Sequence, residues 1–226
     1  MKLQLACFER LGAPGWSALR EVAESARDAG LLVIADGKRG DVPATAEAYA
    51  QSLVGETATP WGTDGGLGAD AFTANPLLGR DSLEPFVAAA ADSGAGLFAL
   101  VRTSNPGAGD LQDLPAPEAP LHERLAAIVD GFSARLAGAG RLSGMGAVVG
   151  ATEPRHLARL RELMPSAIFL VPGVGAQGGQ VEDLGPAFSA EPASTLVTAS
   201  RSIAQDADPA AAAARLRASV WEVSPA

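Results

Sequence analysis

The chain has 226 residues, 47% of them hydrophobic, with a net charge of −9 and a single cysteine, Cys7. That length suits one domain over residues 1–226 with a substantial core. The acidic balance supplies no basic face for nucleic acid, and no apolar run approaches the ~18–20 residues of a membrane span. A lone cysteine forms no internal disulfide and suits a reducing compartment, so a cytoplasmic protein without nucleic-acid or membrane partners is expected.

In chain order, "KLQLACF" (2–8) offers the tail of a strand, and helical spacing follows over 15–30. The apolar run 31–36 predicts a buried strand that runs into the charges of "DGKRGD", and a helix follows over 45–55. The Gly-rich stretch "ETATPWGTDGGLGAD" (56–70) reads as a loop. Strands are then predicted at 71–76, 96–104, 146–152, 167–173 and 194–201. Helical patterns fill 81–94, 121–140 and 152–164, several ending in Gly, and the last, 208–223, opens on Asp208 and Pro209 as cap and first-turn pair. The strands are continuously apolar rather than alternating, as parallel strands covered on both faces are.

Repeated strand–helix units predict an α/β fold. Polar residues close almost every strand: Asp36 and Lys38, Asn75, Ser104, Thr152, the Gly173 loop and Arg201. That distribution favours a (β/α)₈ barrel, whose active face is formed by strand C-termini, over an open doubly wound sheet with one crevice. Six full strands are two short of closure, so the barrel is expected to be N-terminally truncated, its first strand absent and its second partial.

Strand alternation would put Leu32, Ile34, Asp36 and Lys38 on one face, with Asp41 a turn later. An acid–lysine–acid cluster at a strand end holds an ammonium group in place as a proton donor. Two motifs here are coincidental. "RGD" (39–41) matches an adhesion tripeptide in a chain of cytoplasmic character, and "GVGAQG" (173–178) lacks the acidic strand end that a dinucleotide site needs about 20 residues on. The strand after it ends in Ser200 and Arg201, which suits a phosphate monoester held by glycine N–H groups and a guanidinium fork.

With "ADGKRGDVPATAEAYA", "TANPLLGRDSLEPF", "LVRTSNPGAGDLQDL", "GAVVGATEP", "VPGVGAQGG" and "ASRSI" in this order, the whole chain resembles the orotidine 5′-phosphate decarboxylase family, in the bacterial type 2 subgroup common in actinobacteria. The resemblance implies a homodimeric barrel that converts orotidine 5′-phosphate to UMP and CO₂, the last step of de novo pyrimidine nucleotide synthesis, with no metal and no cofactor. It implies that Lys38 protonates the C6 carbanion, that Asp36 orients Lys38 and sits near the substrate carboxylate, and that Lys2 bridges the acids and a ribose hydroxyl. Asp41 and Thr45 would reach the partner subunit's site. Ser104 would read the pyrimidine edge and Gln177 would span base and phosphate. The loop from Gly175 through Gly178 to Gly179, with Arg201, would hold the phosphate, Pro172 and Gly173 would bind substrate, and Asn75 would line the site.

The chain departs from the family at three points. The aspartate that closes the family's first strand has no counterpart, Gly37 stands where a small side chain such as Ala is usual, and Leu3 replaces a usual Pro. Two other readings share these residues: a truncated, non-catalytic remnant that binds phosphorylated ligands, and a related Mg-dependent sugar-phosphate decarboxylase with the same Asp-x-Lys-x-x-Asp core. "RTSNPG" with "PGVGAQGG" argues against the latter. His122 and His156 read as surface histidines on helices, Trp16, Trp61 and Trp221 as packing residues, and Arg102 shares a face with Ser104 without an assigned role.

Overall fold

A computed structural model of the chain describes residues 1–224. The chain divides into two compact units, Met1–Ala99 and Leu100–Ala226. The first contains β1 (Lys2–Gln4), α1 (Leu5–Glu9), α2 (Ala13–Asp28), β2 (Ile34–Arg39), α3 (Pro43–Leu53), β3 (Glu56–Thr59), β4 (Gly62–Gly65), β5 (Ala71–Ala74) and α4 (Arg80–Ser93). Strand β6 (Gly96–Arg102) starts in this unit and finishes in the next. Neighbours β1, β2, β5 and β6 pair in parallel, Lys2 opposite Ile34, Ile34 opposite Ala71, and Ala71 opposite Gly96. The three-residue β1 is the partial strand expected from "KLQLACF".

The helices cover this sheet because their apolar residues recur at helical spacing. Leu19, Ala23 and Ala26 of α2 are buried, as are Ala46, Ala50 and Leu53 of α3 and Leu83, Phe86, Val87 and Ala90 of α4. Complete burial of Leu83, Phe86 and Val87 contributes about 1.5–3 kcal/mol each. Phe86 meets Phe72 of β5 at 5.7 Å between ring centroids, a tilted contact of the kind aromatic quadrupoles favour. Helix α4 stops at Gly94, which takes the left-handed conformation (φ 71°) that costs a glycine little.

Two expectations change here. Strand β2 starts at Ile34 rather than at residue 31, since Leu31 and Leu32 are exposed. The 56–70 stretch is an antiparallel hairpin, β3 against β4, rather than a plain loop. Its turn is tied by Thr59, whose hydroxyl donates to Gly62 O (2.7 Å) and accepts from Trp61 N (3.2 Å). A side chain thus supplies the turn bonds, which a reading of Gly content overlooks.

The second unit continues with α5 (Leu121–Asp130), β7 (Ser143–Val149), α6 (Arg155–Leu163), β8 (Ala167–Pro172), β9 (Thr195–Thr198), α7 (Arg201–Ala204) and α8 (Pro209–Val223), with 3₁₀ turns between them. Strands β7, β8 and β9 are parallel neighbours. Met145, Leu157, Leu160, Phe169 and Phe188 fill its core. The helix expected over 121–140 breaks after Asp130, where Gly131 is followed by a 3₁₀ turn at Ser133–Leu136. At α8, Asp208 caps as expected, accepting Ala211 N at 3.0 Å. Arg161 is buried and, among the described residues, pairs with no carboxylate. It stacks 3.8 Å over the Phe169 ring and donates to the carbonyls of Met164, Ala167, Ala187 and Ser194. Burial pushes its pKa down to about 10.

The tryptophans are not packing residues: Trp16, Trp61 and Trp221 are 44%, 93% and 74% exposed. Among the described residues no helix is long and apolar enough to cross a membrane.

Candidate active site

The first unit gathers the charged group. Asp36 on β2 is 4% exposed. Its Oδ2 accepts from Lys2 Nζ at 2.5 Å, and its Oδ1 accepts from Lys38 Nζ at 2.5 Å and from the Thr73 hydroxyl at 2.9 Å. Burial is the largest single influence on Asp36 and pushes its carboxyl up. The hydrogen bonds and charges of Lys2 and Lys38 together outweigh it and hold the group below the ordinary carboxylate value. A carboxylate between two ammonium groups is the result, with its charge kept in place out of water.

The side chains do not follow simple alternation. Between Ala35 and Arg39 of β2 the register with β5 slips, so that Asp36, Gly37 and Lys38 face the single residue Thr73. Lys38 has φ 50° and is the one described non-glycine residue with positive φ. This bulge, not a regular strand, brings Asp36 and Lys38 into contact. Gly37 fits the crowding it causes, since a Cβ there would lie 2.7 Å from Leu5 Cδ1.

Asp41 does not complete the cluster around Lys38. Its carboxylate instead accepts from Val42 N (2.7 Å), ahead of Pro43 at the start of α3, and Lys2 takes the expected third place. Thr45 lies in the first turn of α3, half-buried. Asn75 follows β5, where its N–H donates to Arg39 O (2.7 Å) and its Oδ1 accepts from Leu77 N (3.0 Å) in an Asx turn. The backbone of Asn75 comes so close to Gly40 that a Cβ at Gly40 would lie 2.7 Å from Asn75 O.

In the second unit Ser104 follows β6 in a slot that glycines leave open. A Cβ on Gly150 would lie 2.7 Å from Ser104 Cα, and one on Gly173 would lie 3.0 Å from Ser104 Cβ. Thr152 donates its hydroxyl to Ser104 O at 3.0 Å. After Pro172, which ends β8, the chain turns through Gly173, Gly175 and Gly178 at φ of 106°, 75° and 94°. The N–H groups of Gly175, Gly178 and Gly179 close this loop on the carbonyls of Gly179, Gly175 and Gly173. Those donors are therefore engaged within the loop, whose tip, residues 175–178, is exposed. A Cβ on Gly175 would sit 3.8 Å from Ser202 Oγ, which places the loop beside α7 and its exposed first residue, Arg201.

Sequence reasoning missed two networks. Thr73 sits inside an apolar tetrapeptide and looks like strand filler. Arg102, also buried, forks the Asp113 carboxylate through Nε (2.8 Å) and Nη2 (3.0 Å) and donates to Thr103 O (2.6 Å). Gln112 Oε1 accepts from Thr103 N (2.8 Å), so the segment after β6 is tacked to the strand end beside Ser104. The histidines are not at the surface: His122 is 4% exposed, and the His156 side chain is 13% exposed. Their rings meet edge-on at 4.5 Å, next to Asp113. Burial first, then His122, pushes His156 down, while the Arg102 hydrogen bond holds Asp113 below its ordinary value.

Asp113, His122 and His156 bring one potential metal-ligand atom each within 4.8 Å. His122 Nδ1 lies 2.7 Å from Gln112 O and so carries the proton, which leaves Nε2 as the acceptor of that ring. His156 Nε2 is buried without a hydrogen-bond partner. The Asp113 carboxylate is already neutralised by Arg102, and a cation here would compete with that guanidinium.

A family model described as orotidine 5′-phosphate decarboxylase / HUMPS family matches residues 1–216. An orotidine 5′-phosphate decarboxylase of Rhodopirellula baltica is 46% identical over 206 residues, 90% of this chain and 66% of that protein. One from Deinococcus radiodurans is 48% identical over 208 residues, 90% of this chain and 70% of that protein. The chain thus spans about two thirds of the length of these relatives. Among solved structures, Leishmania donovani UMP synthase has a TM-score of 0.81 and 39% identity, covering 98% of this chain and 46% of that one. Leishmania donovani OMP decarboxylase has a TM-score of 0.79 and 37% identity, covering 98% of this chain and 80% of that one. These likenesses put the fold in the α/β class of (β/α)₈ barrels, as the strand pattern led us to expect.

Proposed function

Because the chain belongs to the orotidine 5′-phosphate decarboxylase / HUMPS family, we propose that it converts orotidine 5′-phosphate to UMP and CO₂, the closing step of pyrimidine nucleotide synthesis. The observation that carries this reading is the Lys2–Asp36–Lys38 array, in which the buried Asp36 carboxylate holds a half-buried and an exposed ammonium group. Cleavage of the C6–carboxylate bond leaves its electron pair on a vinylic carbon with no electron sink. The barrier must fall through charge fixed in advance where the carbanion forms. The Lys38 ammonium gives its proton to C6, and the amine recovers one from water. Asp36 holds Lys38 on target through Oδ1 and Lys2 through Oδ2, leaving Lys2 in reach of a ribose hydroxyl.

The remaining roles follow the same reading. Ser104, in its glycine-lined slot, reads the pyrimidine edge, Asn75 lines the site, and Gln177 spans base and phosphate. Pro172, Gly173, Gly175 and Gly178 shape the loop that presents its tip to the phosphate, and Arg201 supplies the charge-assisted fork. Asp41 and Thr45, outside the Asp36 cluster of their own chain, serve the partner's site in a homodimer. The chemistry needs neither metal nor cofactor. The matched span runs through both compact units, which supports one domain over residues 1–226, and the lone cysteine suits a cytoplasmic setting.

The test is loss of the orotate ultraviolet band on adding orotidine 5′-phosphate, with Lys38→Ala abolishing turnover. A folded protein that leaves the substrate intact, or a Lys38→Ala variant as fast as the parent, overturns the proposal. Turnover of a sugar phosphate that needs Mg²⁺, with orotidine 5′-phosphate ignored, would place the chain in the other branch of the family.

A further inference from the structure

We propose that Thr73 is a positioning residue for the Lys38 proton transfer, an inference that rests on the decarboxylase reading. Its side chain fills a place that no backbone group can. Opposite the bulge, Asp36, Gly37 and Lys38 face Thr73 alone, so the β2–β5 ladder is interrupted where the reactive lysine sits. The Lys38 N–H donates to Thr73 Oγ1 at 2.8 Å, and the Thr73 hydroxyl donates to Asp36 Oδ1 at 2.9 Å. One oxygen thus grips the main chain of the proton donor and the carboxylate that aims its side chain.

Four features make this more than incidental packing. Thr73 is completely buried, so neither bond has a ready substitute in water. Lys38 holds φ 50°, a conformation that an L side chain adopts at a cost and keeps only where its surroundings enforce it. The Thr73 bond is the contact that does so from the facing strand. The Asp36 carboxylate has Lys2 on one oxygen and Lys38 on the other, and the hydroxyl adds a third direction that fixes its plane. A β-branched side chain restricted at χ1 is also the stiffest way to hold a hydroxyl in a strand.

The test compares Thr73→Val, which keeps shape and removes the hydroxyl, with Thr73→Ser, which keeps it. In Thr73→Val we expect kcat to fall about 10- to 100-fold with KM within about twofold of the parent, because ground-state contacts to the nucleotide stay while aim is lost. Thr73→Ser should recover to within about threefold of the parent. The Lys38 amide, read by hydrogen exchange, should exchange at least about tenfold faster in Thr73→Val and stay protected in Thr73→Ser. Should Thr73→Val not fold, Thr73→Ala against Thr73→Ser decides by the same readouts.

A folded Thr73→Val with kcat within about twofold of the parent overturns the proposal. So does a Thr73→Ser as impaired as Thr73→Val, with both losses tracking melting temperature. If the parent chain itself has no turnover, the decarboxylase reading fails and the exchange comparison still judges the geometry. Equal Lys38 exchange in parent and Thr73→Val overturns that as well.

Discussion

Adding one methyl group at Gly150 tests how tightly the chain holds Ser104. Gly150 is buried just after β7 and donates its N–H to Arg102 O at 2.7 Å, so its backbone is not free to retreat. In Gly150→Ala the new Cβ would lie 2.7 Å from Ser104 Cα and 2.8 Å from both Ser104 Cβ and Ser104 N. Comfortable carbon contacts are about 3.5–4.0 Å, so Ser104 must shift by about 0.7–1.3 Å. It has little room, because the Cβ position of Gly173 is 3.0 Å from Ser104 Cβ and Thr152 holds Ser104 O. Overpacking of this kind costs about 1–3 kcal/mol. At about 2–4 °C per kcal/mol for a chain of this size, the melting temperature should drop by about 2–12 °C. On the proposed role of Ser104, displacing it by about 1 Å should lower kcat/KM for orotidine 5′-phosphate by up to about 100-fold. The control is Gly185→Ala, where the added Cβ meets nothing within 4 Å and should change stability by less than about 0.5 kcal/mol. Thermal melts by circular dichroism and the ultraviolet turnover assay give both readouts. If Gly150→Ala melts with the control and turns over like the parent, the slot does not position Ser104.

Asp36 predicts an acid limb. Its carboxyl is held below the ordinary 3.8, so the unfolded chain binds more protons than the folded one across the window beneath that value. The stabilisation is present above 3.8 and is lost as pH falls through the lower folded value, and Asp36→Asn should flatten that part of a melting-temperature profile. His156 acts in the same direction at higher pH. Its pKa is held below 6.5, so stability should rise with pH up to 6.5 and not depend on this group above it. Urea midpoints should show that slope shrinking in His156→Gln. Arg161→Met strips donors from four buried carbonyls and should cost about 3 kcal/mol or more, read by the same denaturation. Trp61→Ser, at a hairpin tip 93% exposed, should leave stability within about 0.5 kcal/mol.

Much of the α/β order was legible because parallel strands advertise themselves as apolar runs and their helices as periodic ones. Strands β5 to β9 fall within or next to the predicted segments, and polar residues do follow the strands. The identities of Asp36, Lys38 and Lys2 as one cluster were also legible, the last only through the family resemblance. Less visible were features made by tertiary contact. Thr59 closes a hairpin in a stretch whose glycines read as loop. His122 and His156 lie on helices among charged neighbours in sequence, and their burial depends on Asp113 and Arg102 arriving from the segment after β6.

The arrangement around Lys38 shows why such features resist a one-dimensional reading. Alternation assigns residues 34, 36 and 38 to one face only while the strand keeps its pairing register. Here the register slips at the residues that carry the charge, and Lys38 reaches Asp36 because its backbone has left the extended region. No local pattern in "ADGKRG" encodes that departure, since Gly37 permits it without requiring it. The requirement comes from the facing strand, where a hydroxyl replaces the missing ladder partner of the Lys38 N–H. A threonine in the middle of a continuously apolar strand is the one mark this leaves in the sequence. Its significance appears only when the register places it opposite an interrupted ladder. Strand-interior hydroxyls facing a glycine flanked by charged residues are therefore worth treating as site residues before any ligand is considered.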